Sequence, residues 1–446
     1  MGVRAGIVAL VGLLLSACVP TEFEDLRGEA STYAYDAPSG YPNSGFGERV
    51  VAYGGTLRGV SVSRVGGNAG VDSPFVVFPL LEDDSLDLET PRLDGCGNGF
   101  TCREGAGASL FGLPRWAGRE LCIGIPSPTT GEIRIRCEDD ITMSPPAVSG
   151  TAGEGLGEAS ASLAVDHPFG RALLGAPTGA GAVYRLPDGS PPVRVDLSAA
   201  DGVGRGLGRA VAIAPLDADS VLIAAGAPVG GTKRVVVAVA DVDAMGAVTT
   251  SVRGCLDASS EGWGASVAIG DVDGDGRLDI AVGSGTGEGR LDAVRVFSGA
   301  DMPAVETCDG SWAPAVELPC PELDGIDCRA RFGVTLATGD LDADGQSEIL
   351  VGAPDARVDG EDAAGAVFVF GGGSLSEMGS RASALTHSTP ELGANLGASI
   401  AVAPGVDGRS EPIVGAPGAE RVYVFLCSAV DGDSEGTTPQ TRCQPR

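Results

Sequence analysis

One pattern constrains this chain more than any other. The segment from Trp263 to Gly285 reads WGASVAIGDVDGDGRLDIAVGSG, and Phe332 to Pro354 reads FGVTLATGDLDADGQSEILVGAP. Each has an aromatic-glycine start, a run alternating apolar and small residues, an acidic loop, a second apolar run and a small-residue turn. The same frame without a full acidic loop recurs at Leu156–Pro177, Leu207–Pro228 and Leu396–Pro417. Period-2 alternation predicts strands, and a frame that repeats predicts stacked copies of one supersecondary unit. A further apolar strand follows each frame, as in AVRVFSG (Ala293–Gly299) and AVFVFGG (Ala366–Gly372).

These residues resemble the FG-GAP repeat of integrin α-subunit propellers. Gly-Ala-Pro stands intact at Gly175–Pro177, Gly226–Pro228, Gly352–Pro354 and Gly415–Pro417, and becomes Gly-Ser-Gly at Gly283–Gly285. Two weaker frames lie upstream, at Phe46–Asn68 and Ala106–Pro126. The starting glycines are then Gly47, Gly107, Gly157, Gly208, Gly264, Gly333 and Gly397, spaced by 50 to 69 residues. The expectation is an all-β, seven-bladed β-propeller of FG-GAP-type repeats over residues 46–427, its first two blades degenerate. A rival reading makes residues 46–145 a separate disulfide-bonded β domain. A single small sheet cannot bury both faces, whereas radially stacked blades bury each other. Glycine at the inner strands lets backbones approach where blades converge. The tail 428–446 is polar and offers the last blade no fourth strand. STYAYDA (Ser31–Ala37), with alternating tyrosines, is expected to pair there and close the ring.

Composition agrees with many short strands and glycine-rich turns: 446 residues include 70 glycines and 29 prolines, with 5% aromatics. The formal net charge of −30 argues against nucleic acid as a partner, because a phosphate backbone is repelled by such a surface.

At the N-terminus, Ala5–Ala17 is an apolar stretch suited to a signal peptide and short for a membrane span. LLSAC (Leu14–Cys18) resembles a bacterial lipobox. Residues 1–17 are expected to be a lipoprotein signal peptide, Cys18 the lipidated residue and 18–45 a tether containing the closing strand. Val19 after the cysteine favours the outer membrane, so membrane attachment would run through the lipid anchor. The other ten cysteines are an even number, expected as disulfides in an exported chain. Close spacing suggests Cys96–Cys102, Cys122–Cys137, Cys320–Cys328 and Cys427–Cys443, leaving Cys255 with Cys308, although spacing alone does not determine connectivity.

The acidic loops are the candidate cation sites. Calcium takes six to eight oxygen ligands, and carboxylates at alternate positions of a tight loop can converge on one point. Asp271, Asp273, Asp275 and Asp279 would supply side chains, with the Arg277 carbonyl as a further donor. Asp340, Asp342, Asp344 and Glu348, with the Gln346 carbonyl, stand in the same register. A hydrophilic turn would explain one such loop; two in matching register point to two Ca2+ sites. Leu216–Val221, Gly405–Glu411 and Asp431–Glu435 keep too few acids and are expected to be turns.

In an antiparallel four-strand blade the loop after strand one lies on one face of the disc, and the links between blades lie on the other. The calcium loops then serve the scaffold. The long links Leu81–Gly105 and Gly299–Arg331, the latter with Trp312, become the expected binding region for a protein or glycan partner. The catalytic inventory is thin: two histidines, His167 and His387, both read as polar loop residues, no GxSxG elbow and no phosphate loop. The primary expectation is a binding module in the cell envelope. The alternatives are a carbohydrate-active hydrolase or lyase on the same scaffold, and a structural subunit of an outer-membrane assembly.

Overall fold

The computed structural model describes residues 31–36, 47–53, 59–63, 75–79, 93–94, 111–117, 119–127, 132–137, 147–149, 440–443 and 153–430, the last except 164, 180, 198–205, 230–232, 259–261, 285–292, 305–307, 309–311, 329–330, 372, 380–381 and 405–408. The segment 1–30 and the pair Cys96–Cys102 therefore lie outside the described residues, with the expectations placed on them. Among the described residues no helix is long and apolar enough to cross a membrane.

The strands fold into antiparallel sheets, most of them built from strands that are consecutive in sequence. Five of these sheets are described with their side chains. Their first strands are Ala159–Ser162, Ala210–Pro215, Ser266–Gly270, Thr335–Gly339 and Ser399–Pro404. Each starts two residues after a frame glycine, Gly157, Gly208, Gly264, Gly333 or Gly397. Two more four-stranded sheets, opening with Arg49–Tyr53 and Phe111–Trp116, are described chiefly by their backbone pairing. First strands neighbour one another in sequence order, and Arg49–Tyr53 lies against both Phe111–Trp116 and Ser399–Pro404.

Alternation explains the packing. In Ser220–Ala227 every residue is buried. Val221, Ile223, Ala225 and Ala227 join the apolar cluster shared with the preceding sheet, together with Leu173 and Val183. Leu222 and Ala224 join the cluster shared with the following sheet, together with Val267, Ile280 and Trp263. Separate clusters likewise fill the next two inter-sheet spaces. Successive side chains point to opposite faces, so one strand supplies two cores. The frame aromatics anchor these spaces. Phe332 meets Phe368 and Phe370 edge-on, and Trp263 donates its Nε1 hydrogen to the Leu256 carbonyl at 2.9 Å.

The two glycine signatures meet each other. Within each of the five repeats the starting glycine donates its N–H to the carbonyl of the glycine in the second signature, as in Gly208 to Gly226 at 2.9 Å. Between repeats, the starting glycine's carbonyl presses on the previous second-signature glycine. A Cβ on Gly226 would lie 1.9 Å from the Gly264 oxygen, and one on Gly415 would lie 1.8 Å from the Gly47 oxygen. Side-chain hydroxyls cap the same carbonyls, with Ser399 bonding the Gly47 oxygen at 2.8 Å.

Ser31–Asp36 pairs antiparallel with Arg421–Val430, from Ser31 opposite Leu426 to Asp36 opposite Arg421. It occupies the fourth-strand place in the last sheet, and Arg421 ties to Asp36 at 2.6 Å and also to Glu391. The polar tail departs from expectation: Gln440–Cys443 pairs with the outer half of Arg421–Val430, setting Cys443 opposite Cys427. A polar strand needs only a partner's free backbone groups, so its sequence carries little apolar signal.

The segment Gly299–Arg331 also corrects the sequence reading. It is not one link, because Val316–Pro319 is the fourth strand of its sheet. Cys308 and Trp312 stand between strands three and four, which by antiparallel connectivity puts them toward the acidic-loop face. Trp312 is buried and packs edge-on against Phe297 at 6.0 Å, so it does not present itself to a ligand. Cys308 in this connection bonds Cys255 in the preceding sheet, a covalent tie between neighbours. Cys320–Cys328 closes the true link, whose Ile326–Asp327 pairs with Arg357–Val358 in the connection between Glu348–Ala353 and Ala366–Phe370 of the next repeat. Cys122 is disulfide-bonded and stands opposite Cys137 in the strand register.

Candidate functional site: two acidic loops

Each acidic loop is closed by a strand pair, Gly270 opposite Asp279 and Gly339 opposite Glu348. Inside, short aspartates bond main-chain N–H groups a few residues ahead, which turns the chain tightly. Asp271 accepts from Gly274 and Gly276 at 2.8 and 2.9 Å, Asp273 from Asp275 at 3.2 Å, and Asp275 from Arg277 at 2.8 Å. The second loop repeats this scheme. Asp340 accepts from Asp344 and Gly345, Asp342 from Asp344, and Asp344 from Gln346 at 2.7 Å. Arg277 and Gln346 thus sit at corresponding places in the two turns. Ala343 takes the left-handed conformation (φ 62°) where the first loop has Gly274, at a small steric cost.

The last acid of each loop is the most deeply placed. Asp279 accepts from the Val272 and Gly299 N–H groups at 2.9 and 2.8 Å, and Glu348, fully buried, accepts from Leu341 at 2.7 Å. Carboxylate oxygens of Asp271, Asp273 and Asp279 converge within 4.8 Å of one another, and so do those of Asp340, Asp342 and Asp344. These are three of the four acids expected in each loop; Asp275 and Glu348 stand outside the two convergent groups.

The electrostatics fit a hard cation. Burial, with the nearby Asp275 and Asp271 charges, pushes the Asp273 carboxyl above its usual range. Burial raises Asp279 from 3.8 to about 6, against the pull of its two N–H bonds. Oxygen donors crowded at this density suit Ca2+ rather than a transition metal, since among the described residues no histidine or thiol joins them. Without metal, the folded chain holds a proton on Asp279 between about 3.8 and 6 that the unfolded chain has released. This group's contribution to metal-free stability is therefore largest below that window and is lost as pH rises through about 6. Urea midpoints in EDTA across the window are expected to fall with pH, and Asp279→Asn is expected to flatten the decline; an unchanged slope in that variant refutes the assignment.

The repeat that starts at Gly157 places a cationic side chain at its corresponding loop. In the frame starting at Gly157, Arg171 stands immediately before the second strand, near where Asp279 and Glu348 begin theirs. Buried to 7% exposure, it bridges Asp166 of its own loop and, at 3.2 Å, Asp188. A guanidinium on the chain neutralises this loop's acid. Sequence reasoning missed it because an acid-only pattern discards the loop at the arginine. Arg171→Ala is expected to cost about 2 kcal/mol, the scale of hydrogen bonds to charged groups. Thermal melts should show the same loss with calcium and with EDTA.

The two histidines are structural. His167, 8% exposed, accepts the Phe169 N–H at Nδ1 and bonds the Asp217 carbonyl of the next sheet at 3.1 Å, so it is a buried inter-sheet tie rather than a loop-surface residue. His387 packs 5.1 Å from Tyr423 with Nδ1 engaged by Thr389. Asp217 tightens its own turn by accepting from Asp219 and Ser220, both at 2.8 Å.

Known proteins bear on this geometry. The FG-GAP repeat family matches residues 263–297 and 332–370, the two repeats that hold the acidic loops. Integrin alpha-IIb of Homo sapiens is 33% identical over 177 residues, covering 38% of this chain and 16% of the integrin. Its Mus musculus counterpart is 32% identical over the same length. The chain thus spans about a sixth of the length of the curated relatives it matches. The fold is an all-β propeller, and two of its repeats match the FG-GAP repeat family.

Proposed function

We propose that this chain is an envelope-anchored, calcium-stabilised propeller that binds a protein or glycan partner on the face opposite the acidic loops. The observation that carries the reading is the duplicated acidic loop, built twice with the same hydrogen-bond scheme on one face of a rigid ring. FG-GAP propellers are typically interaction modules, and a scaffold pinned on one face leaves the other for recognition. That other face carries the disulfide-closed link Cys320–Cys328 and its two-stranded pairing with Arg357–Val358. Ca2+ would be held by Asp271, Asp273 and Asp279 in one loop and by Asp340, Asp342 and Asp344 in the other, with Asp275, Glu348 and the Arg277 and Gln346 carbonyls completing the sets. Attachment would run through a lipidated Cys18, and the propeller would then sit at the outer membrane.

The ring in this reading has seven blades rather than five. Supporting the larger count, the first strands neighbour one another in an unbroken cycle, and the Gly415 junction is made with Gly47. The test of function is capture from envelope extract by the soluble domain, with and without EDTA, beside a glycan turnover screen. A partner retained in calcium and lost with a disrupted Cys320–Cys328 link supports the binding reading. Robust glycan cleavage, or a partner held through the acidic-loop face, overturns it.

A further inference from the structure

The two acidic loops touch, and the segment that completes one also holds the other. Gln346-Ser347-Glu348 closes the second loop. Ser347 donates its N–H across the inter-sheet space to the main-chain oxygen of Asp271 at 2.7 Å, the first acid of the first loop. The Gln346 side chain lies over Gly274 so closely that a Cβ there would sit 2.8 Å from its Cγ. Its Oε1 is buried with no hydrogen-bond partner, so the side chain is held by packing against the first loop. Just before the loops, Thr338 Oγ1 donates to the Ile269 carbonyl at 2.7 Å. The same hand-hold continues one repeat further, where the Ser410 N–H reaches the Asp340 oxygen at 2.6 Å.

From this contact we infer that the two loops bind calcium cooperatively. The inference rests on the calcium reading above and adds coupling between the sites. A cation that draws Asp340, Asp342 and Asp344 together fixes the turn that carries Gln346 and Ser347. Those two residues then fix the Asp271 carbonyl and the Gly274 turn, so the first loop has less conformational freedom left to lose when it binds. By linkage, loading the first loop favours the second by the same factor. Repulsion between two bound dications works in the opposite direction, but salt screens it and leaves the packing and hydrogen-bond contribution intact. The cooperativity therefore grows with ionic strength.

The test is titration of the whole soluble protein with calcium alone, by equilibrium dialysis and calorimetry. Expected are two bound ions with a Hill coefficient above one that rises with added salt. Asp342→Asn and Asp273→Asn should each leave one ion, bound about five-fold or more weakly than the same site in the parent. Gln346→Ala, which keeps the main-chain carbonyl, should retain two ions and lower the Hill coefficient. The parent titration decides the matter even if a variant fails to fold. Two ions bound independently, with unchanged single-site affinity in the variants, overturn the coupling and leave the calcium reading standing. No bound calcium overturns both.

Discussion

Chelation of calcium is expected to lower the melting temperature of the propeller by about 10 °C, and an Asp273→Ala/Asp342→Ala variant should melt early and lose that sensitivity. A ligand that binds only the folded chain stabilises it by about 2.7 kcal/mol per site when its concentration is a hundred times the dissociation constant. Two such sites give about 5 kcal/mol, and each kcal/mol moves the melting point of a large domain by about 2 °C. The structure indicates where the loss arises. Without a cation the convergent carboxylates of each loop repel, and burial holds the Asp279 carboxyl well above its usual range. Because Ser347 and Ser410 link three successive loops through main-chain bonds, loosening one loop reaches the next. Differential scanning calorimetry with and without EDTA checks the expectation. If the double variant keeps the parent's full EDTA shift, the calcium assignment is wrong.

The acidic loops were legible because metal chemistry demands a residue type at a fixed spacing, and Asp271, Asp273, Asp340 and Asp342 meet that demand in sequence alone. The second and third strands of the five repeats were legible for a related reason: nearly all their residues are buried, so their apolar character is strong. Outer strands gave little signal. Val316–Pro319 reads VELP and Gln440–Cys443 reads QTRC, sequences whose pairing is dictated by the neighbour they join. Trp312 looked like a recognition residue because it lies in a segment that read as one long link between blades. Its burial depends on Phe297, a contact that only the third strand's position supplies. Arg171 and His167 were missed or undervalued for one physical reason. Each satisfies its partners across a loop or between sheets, and such partners have no fixed sequence spacing.

The glycine signatures supply the second large effect. Gly226→Ala is expected to cost about 3 kcal/mol or more, at the upper end of overpacking penalties, because the new methyl would meet a main-chain oxygen rather than a movable side chain. That oxygen belongs to Gly264, 1.9 Å from the ideal Cβ position, and it is fixed by the inter-sheet junction. Relief requires the two sheets to separate, which opens the apolar cluster holding Leu222, Ala224 and Val267. Gly379→Ala is the control. That residue has helical backbone angles (φ −64°), and its nearest contact for a Cβ is Leu318 Cδ2 at 3.8 Å, so a change within about 0.5 kcal/mol is expected. Gly415→Ala carries the argument to the closure of the ring. Its clash is with the Gly47 oxygen at 1.8 Å, a contact that exists only if the first and last repeats sit side by side. Urea melts of the three variants separate the cases. Gly415→Ala should fall with Gly226→Ala, whereas a Gly415→Ala protein as stable as Gly379→Ala would mean that the ring is not closed at that junction.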